Sequence, residues 1–129
     1  MITFDDFKKV EMKVGEILSA EKVEGSDKLL KLSVNFGLKP SAQKAEGSPD
    51  QPEAGLGEET DIRQVISGIG KYFPDPSTLI GKRYAFVTNL EPRNIMGLES
   101  QAMIIAASTD DTIAFFDAGE KIPPGTPLK

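Results

Sequence analysis

The sequence predicts an all-β fold, a small barrel of five or six short strands forming a single domain over residues 1–129. Several segments alternate apolar and polar residues, which is the period of a half-buried strand. Gly, Pro, Asn and Asp separate these segments at intervals of about 8–12 residues, as expected for a barrel or sandwich. No apolar run approaches the ~20 residues that a membrane helix needs.

The first part of the chain predicts a short helical turn and two strands. FDDFKK (4–9) is typical of one helical turn lying across a sheet. Residues 10–23 alternate loosely, and Gly15 within them indicates a bulge or a sharp bend. After a turn at 24–28, residues 29–36 place an apolar side chain at every second position and predict the second strand.

The second part predicts three or four more strands and a C-terminal extension, 109–129. Pro74 and Pro76 forbid a long helix, so the segment between strands three and four is a short helical turn or a loop. The strands are expected at 62–69, 82–90, 100–108 and, as a sixth, 112–118. This order is that of a five-stranded oligonucleotide-binding (OB) barrel with a short helix between strands 3 and 4; a small sandwich is the alternative.

Most of the negative charge lies in one segment. The formal charge is −5. Residues 38–61 contain two lysines and six acidic residues, a net charge of −4, which leaves about −1 for the rest of the chain. This segment is rich in Gly, Pro, Ser and Glu, so it is expected to be a flexible acidic loop inserted between two strands. The acidity therefore does not exclude nucleic-acid binding by the barrel.

The composition disfavours an enzyme. The chain has neither histidine nor cysteine, so imidazole bases, thiol nucleophiles and zinc–thiolate sites are excluded. Its 20 acidic residues are scattered, so no metal site and no cofactor are expected. MITFDDFKK lacks an apolar signal region and the absence of cysteine suits a reducing compartment, so we expect a cytoplasmic protein that does not enter the membrane.

Four motifs together resemble one family, the EMAP-II-like tRNA-binding OB domain. They are DFKKVEMKVGEI, SDKLLKLSV, RQVISGI and NLEPRNIMGLES, within residues 4–108. This domain occurs at the C-terminus of methionyl-tRNA synthetases, as a free-standing beta subunit and as an appendix to other synthetases. The resemblance implies a non-catalytic domain, homodimeric when free-standing, that binds tRNA by shape and raises the tRNA affinity of a methionyl-tRNA synthetase catalytic chain. A secretion-related chaperone-like dimer that binds unfolded protein shares the fold and is the alternative function.

The candidate tRNA-binding residues fall into two groups. The cations expected to hold the phosphate backbone are Lys28, Lys31, Arg63 and Arg93, and the side chains expected to shape the groove are Ser67, Asn89, Met96 and Ser100. Four phosphate contacts predict that the logarithm of the binding constant falls against the logarithm of salt with a slope of roughly −3 to −4.

Each of these residues also has a structural interpretation. Lys31 could be a solvated edge lysine, Ser67 a hydroxyl bonded to its own backbone, and Met96 a plug for the end of the barrel. Gly97 is expected to permit a positive φ. Asn94 departs from the family, where relatives commonly carry a second basic residue, and this loss of charge should weaken binding or narrow its salt dependence.

The adjacent Phe115 and Phe116 point to opposite faces of a late strand. One is expected to face the core, and the other to be exposed in a monomer. The exposed ring predicts a dimer contact in the C-terminal extension.

Overall fold

The computed structural model describes residues 1–38 and 60–129, and it is mostly β. Five strands form one strongly curled antiparallel sheet in the order β3-β2-β1-β4-β7. They are β1 (Met12–Lys22), β2 (Leu30–Leu38), β3 (Thr60–Ser67), β4 (Arg83–Val87) and β7 (Met103–Ile104). The all-β prediction is confirmed, and the curled sheet is a half-barrel consistent with an OB-like arrangement.

Two hairpins accompany the sheet. The first joins β5 (Arg93–Ile95) to β6 (Leu98–Ser100), and the second joins β8 (Ala106–Ser108) to β9 (Ile113–Phe115). The single strand expected at 100–108 is therefore broken into short pieces. The acidic loop predicted at 38–61 lies, over 39–59, outside the described residues, while Leu38 ends β2 and residues 60–61 begin β3.

The core forms against the inner face of β2. Its alternating apolar residues, Leu30, Leu32, Val34 and Phe36, are all 0–1% exposed, as the sequence predicted. The Phe36 ring meets Phe86 of β4 edge-on at 5.2 Å. This packing joins β2 to β4 on the inner side of the sheet.

Gly15 allows the sheet to curl tightly. A β-carbon at this position would lie 2.6 Å from Val34 Cγ1, 2.7 Å from Phe36 Cε1 and 2.9 Å from Phe86 Cδ1. Strand β1 also shifts register between Ile17 and Ser19. The bend that the sequence predicted at Gly15 is thus a close approach of the backbone to the core.

We expect Gly15→Ala to lower the free energy of unfolding by about 1–3 kcal/mol, because the added methyl group overpacks the core. Urea denaturation monitored by circular dichroism would measure the loss. Gly68→Ala is the matched control, since nothing lies within 4 Å of a β-carbon there. Equal midpoints for the two variants would contradict this account of Gly15.

The segment that follows β6 is hydrogen-bonded to β3. Gln101 donates its N–H to the Gln64 carbonyl of β3 at 2.8 Å and accepts the Gln64 N–H through its side-chain oxygen at 2.9 Å. These bonds cover the edge of β3 that β2 does not pair. Between β3 and β4 the chain makes two single 3₁₀ turns, Gly70–Tyr72 and Pro76–Leu79, where the sequence predicted a short helix.

Both ends of the chain are tied to the sheet. The N-terminal turn is a four-residue helix, α1 (Phe4–Phe7), with a capping box between Thr3 and Asp6. At the other end, Val14 donates its N–H to the Thr126 carbonyl at 2.9 Å. The C-terminal extension therefore pairs with β1. No helix among the described residues is long and apolar enough to cross a membrane.

Of the two adjacent phenylalanines in the C-terminal extension, one faces the core and the other is exposed, as the sequence predicted. The Phe115 ring stacks on Tyr84 at 4.7 Å and on Phe73 at 5.8 Å, whereas Phe116 is 55% exposed. Burial raises the pKa of the Tyr84 hydroxyl, and the Asp117 carboxylate raises it further. Tyr84 therefore stays neutral and belongs to the core.

Candidate nucleic-acid interface

Two adjoining grooves lie on the surface beside the end of β3. The arginine groove, about 80 Å³, is lined by Arg93, Glu91 and Ile66 among others. The lysine groove, about 570 Å³, is lined by Lys28 and Lys71 among others. Ser67, Met103 and Ile104 line both grooves, so the two are direct neighbours and are together called the depression here.

Arg93 lies on the exposed hairpin β5–β6, opposite Ser100. Pro92 precedes it, so the backbone leading to the arginine has little freedom. Within residues 1–38 and 60–129, no side chain forms an ion pair with Arg93 or accepts a hydrogen bond from it. The guanidinium is therefore available for an anion.

Met96 stands at the tip of this hairpin. Its φ is 52° and that of Gly97 is 81°, the two positive values that a two-residue type I′ turn requires. The Asn94 side chain accepts the Gly97 N–H at 2.9 Å and stabilises the turn. Met96 is 61% exposed, so it does not plug the barrel, and its thioether is displayed to solvent. The Asn94 side chain therefore has a structural role in this turn.

Lys28 and Lys71 are brought together by a bond between two loops. Gly70 donates its N–H to the Lys28 carbonyl at 2.7 Å, and a β-carbon on Gly70 would lie 2.9 Å from that oxygen. Both lysines are exposed. Lys71 is the functional candidate that sequence reasoning missed, because a lone lysine in KYF gives no signal until Gly70 places it beside Lys28.

Two other predicted residues make contacts within the protein. Asn89 accepts the Glu11 N–H at 2.8 Å and donates to the Lys9 carbonyl at 2.6 Å, which fastens the N-terminal segment. Ser100 is 7% exposed, and its hydroxyl accepts the Ile66 N–H at 3.0 Å. Ser100 thus ties the β5–β6 hairpin to β3, and Asn89 ties the N-terminal segment to the residues after β4.

Arg63 is the most heavily bonded of the predicted cations. Its Nε and Nη2 donate to the two carboxylate oxygens of Asp61 at 3.1 and 3.0 Å, and its Nη1 donates to the Thr88 carbonyl at 2.6 Å. The guanidinium also lies 5.4 Å from the centre of the Phe36 ring. Arg63 therefore links β3 to β4 from within the protein and does not line either groove with Ser67.

Lys31 and Ser67 are both partly exposed to solvent. Lys31 is partly exposed on β2 and pairs with Glu21 at 2.8 Å. Ser67 is half-buried at the end of β3, where it lines both grooves. The structure thus brings Lys28, Ser67, Arg93 and the unpredicted Lys71 to one depression.

The aromatic residues beside Lys71 are not free platforms for bases. Tyr72 donates its hydroxyl to the Thr109 carbonyl at 2.9 Å, and Phe73 stacks on Phe115. Both rings pack against the core.

In the part of the chain that the structure describes, no three acidic residues come close enough together to hold a metal ion. The surface that remains offers cations, hydroxyls and thioethers, which suit a phosphate backbone with its sugars.

Comparison with known proteins identifies the family of this chain. Residues 53–127 match the model of the putative tRNA-binding domain family. The chain belongs to this family. The match begins before β3 and includes β3, the β5–β6 hairpin and β7, which border the two grooves.

Several methionine–tRNA ligases are similar to this protein along nearly its whole length. The methionine–tRNA ligase of Caldanaerobacter subterraneus is 42% identical over 127 residues, which is 98% of this chain and 16% of that protein. The ligase of Thermotoga maritima is 36% identical over 124 residues, again 16% of its length. The chain therefore spans about one sixth of these relatives.

Solved structures show the same fold. A methionyl-tRNA-synthetase-related protein from Pyrococcus horikoshii superposes with a TM-score of 0.77 at 32% identity, covering 100% of this chain and 98% of that one. The chaperone CsaA from Bacillus anthracis superposes with a TM-score of 0.72 at 21% identity, covering 100% and 99%. At that identity the second likeness concerns the fold alone.

Proposed function

We propose that this chain is a non-catalytic tRNA-binding module that raises the tRNA affinity of a methionyl-tRNA synthetase, as its beta subunit or C-terminal appendix. The observation that carries the proposal is the depression that joins Arg93 to Lys28 and Lys71. Membership of the tRNA-binding family and the similarity to methionine–tRNA ligases support it. Work beside a synthetase would place the protein in the cytoplasm.

In this proposal the three exposed cations neutralise phosphates, and the neutral groups shape the groove. Ser67 offers a hydroxyl to phosphate or ribose, and the exposed thioethers of Met96 and Met103 offer soft apolar contact. Lys31 contributes after it leaves Glu21. Arg63 and Ser100 act by holding β3 and the β5–β6 hairpin in place, and Asn89 acts by fastening the N-terminal segment.

We expect Arg93→Ala to weaken tRNA binding about five- to tenfold at low salt, because one phosphate contact is lost. For the same reason, the slope of the logarithm of the binding constant against the logarithm of salt should become shallower by about 1. Fluorescence anisotropy with labelled tRNA at several salt concentrations would measure both quantities. Lys121→Ala removes an equal charge from the C-terminal extension and should change neither. Unaltered binding by Arg93→Ala would remove the arginine groove from the proposal.

We also propose that the free-standing chain is a homodimer in which Phe116 is buried. Phe116→Ser should raise the dimer dissociation constant at least tenfold, since a buried phenylalanine contributes about 1.5–3 kcal/mol. Analytical ultracentrifugation over a range of protein concentrations would detect the shift. Ile80→Ser, at a residue 48% exposed elsewhere on the surface, is the control. A monomeric wild type, or a dimer unaffected by Phe116→Ser, would contradict this arrangement.

The alternative is a chaperone-like dimer that binds unfolded protein. It is suggested by the exposed apolar side chains of the N-terminal segment, where Ile2 is 70% and Phe4 73% exposed. Such binding would survive high salt and would not compete with tRNA. Suppression of aggregation of a denatured client at high salt, with no shift of tRNA in a gel, would favour it over the tRNA-binding proposal.

A further inference from the structure

A row of uncharged polar side chains crosses the outer face of the sheet. Ser19 of β1 is paired with Ser33 of β2, which is paired with Gln64 of β3. Gln101 continues the row, because it exchanges hydrogen bonds with Gln64. All four line one shallow groove of about 270 Å³, called here the polar groove.

Several polar atoms of this row are not used in hydrogen bonds within the described protein. The Gln64 side-chain nitrogen donates to the Glu99 carbonyl at 2.9 Å, and the Gln101 side-chain oxygen accepts the Gln64 N–H. Within the described ranges the Gln64 side-chain oxygen, the Gln101 side-chain nitrogen and the hydroxyls of both serines have no protein partner. One acceptor, one amide donor and two groups able to act as either therefore face solvent together.

The polar groove adjoins the cationic depression. Gln64 and Ile66 lie two residues apart on β3, so they share a face, and Ile66 lines the arginine groove. Gln101 follows Ser100, another residue of that groove. Lys31 also lines the polar groove, and because it is paired with Ile66 it lies on the same side of the row as the arginine groove. Arg63 lines the polar groove too, with its guanidinium bonded to Asp61 and Thr88. The row thus lies beside cations that could hold the phosphates of a bound strand.

We propose that the row Ser19–Ser33–Gln64–Gln101 binds the ribose 2′-hydroxyls of RNA and so distinguishes RNA from DNA. A 2′-hydroxyl both donates and accepts a hydrogen bond, and only RNA carries it. Serine hydroxyls and carboxamides match that capacity, whereas a row without charge adds no attraction for DNA phosphates. This inference rests on the proposed tRNA-binding function and names the chemistry by which an acidic protein with few free cations gains affinity for RNA.

The test compares tRNA with a DNA strand of the same sequence. The double variant Ser19→Ala/Ser33→Ala removes two hydroxyls that have no partner in the described protein, and its thermal melt should match that of the wild type. We expect its tRNA affinity to fall about tenfold while its DNA affinity and salt slope stay unchanged, since each lost neutral hydrogen bond weakens binding about threefold or more. Arg93→Ala is the control, because it should weaken binding of both nucleic acids alike.

The outcomes separate the two proposals. If the wild type binds tRNA and DNA equally, or if the double variant binds tRNA as well as the wild type does, the polar row is not a ribose site and the tRNA-binding proposal stands. If Ser19→Ala alone weakens tRNA binding about threefold and leaves DNA binding unchanged, this single substitution would also support the proposed ribose site. If the wild type binds no tRNA, the proposed function fails, and the inference fails with it.

Discussion

Arg63→Ala is expected to lower the free energy of unfolding by about 3 kcal/mol or more. The substitution removes both hydrogen bonds to the Asp61 carboxylate and leaves that charge, only 12% exposed at its side chain, without its partner. Loss of one partner of a buried ion pair typically costs about 3–5 kcal/mol. Chemical denaturation in urea would measure the change as a lower midpoint at an unchanged slope.

Two companion variants distinguish this structural role from the phosphate contact that the sequence suggested. Arg63→Lys keeps the charge but cannot form the two-pronged contact, so it should also be destabilising. Lys31→Ala breaks the exposed pair with Glu21 and should cost less than about 1 kcal/mol. A stable Arg63→Ala protein that no longer binds tRNA would show that Arg63 contacts the nucleic acid directly.

Removal of all three exposed cations should weaken tRNA binding about 100- to 1000-fold at low salt. In the variant Lys28→Ala/Lys71→Ala/Arg93→Ala, each lost phosphate contact is expected to remove about 1–1.5 kcal/mol of binding free energy, and 1.4 kcal/mol corresponds to tenfold in affinity. The fold should be retained, because all three side chains are exposed. Fluorescence anisotropy at one fixed low salt concentration would measure the loss.

The matched control changes the same net charge at other places. Lys9→Ala/Lys121→Ala/Lys129→Ala also removes three exposed lysines, but none of them lines either groove. This variant should bind tRNA within about threefold of the wild type, because only long-range attraction is reduced. Equal losses in the two triple variants would show that net charge, and not the depression, determines affinity.

The sequence predicted the features that depend on local patterns. The alternation of β2, the special backbone position of Gly15 (predicted as a bulge or sharp bend) and the positive φ at Gly97 all follow from neighbouring residues and from what glycine alone permits. The division between Phe115 and Phe116 followed in the same way from strand geometry.

The roles of several site residues depend on contacts between distant parts of the chain. The Arg63 contact with Thr88 and the Asn89 contact with Lys9 join residues 25 and 80 positions apart, so both side chains looked free in the sequence. Likewise, Lys71 approaches Lys28 only because a glycine between β3 and β4 packs on the turn before β2. Strand periodicity cannot reveal such contacts.

The most direct test of the proposed interface is the salt dependence of wild-type tRNA binding. Three exposed cations predict that the logarithm of the binding constant falls with the logarithm of salt with a slope of roughly −2 to −3, shallower than the four contacts expected from sequence. The triple variant Lys28→Ala/Lys71→Ala/Arg93→Ala should bring that slope to between about −1 and zero, since only Lys31, which is paired with Glu21, remains to contact a phosphate. A wild-type slope near zero, or a triple variant with the wild-type slope, would contradict tRNA binding through this depression.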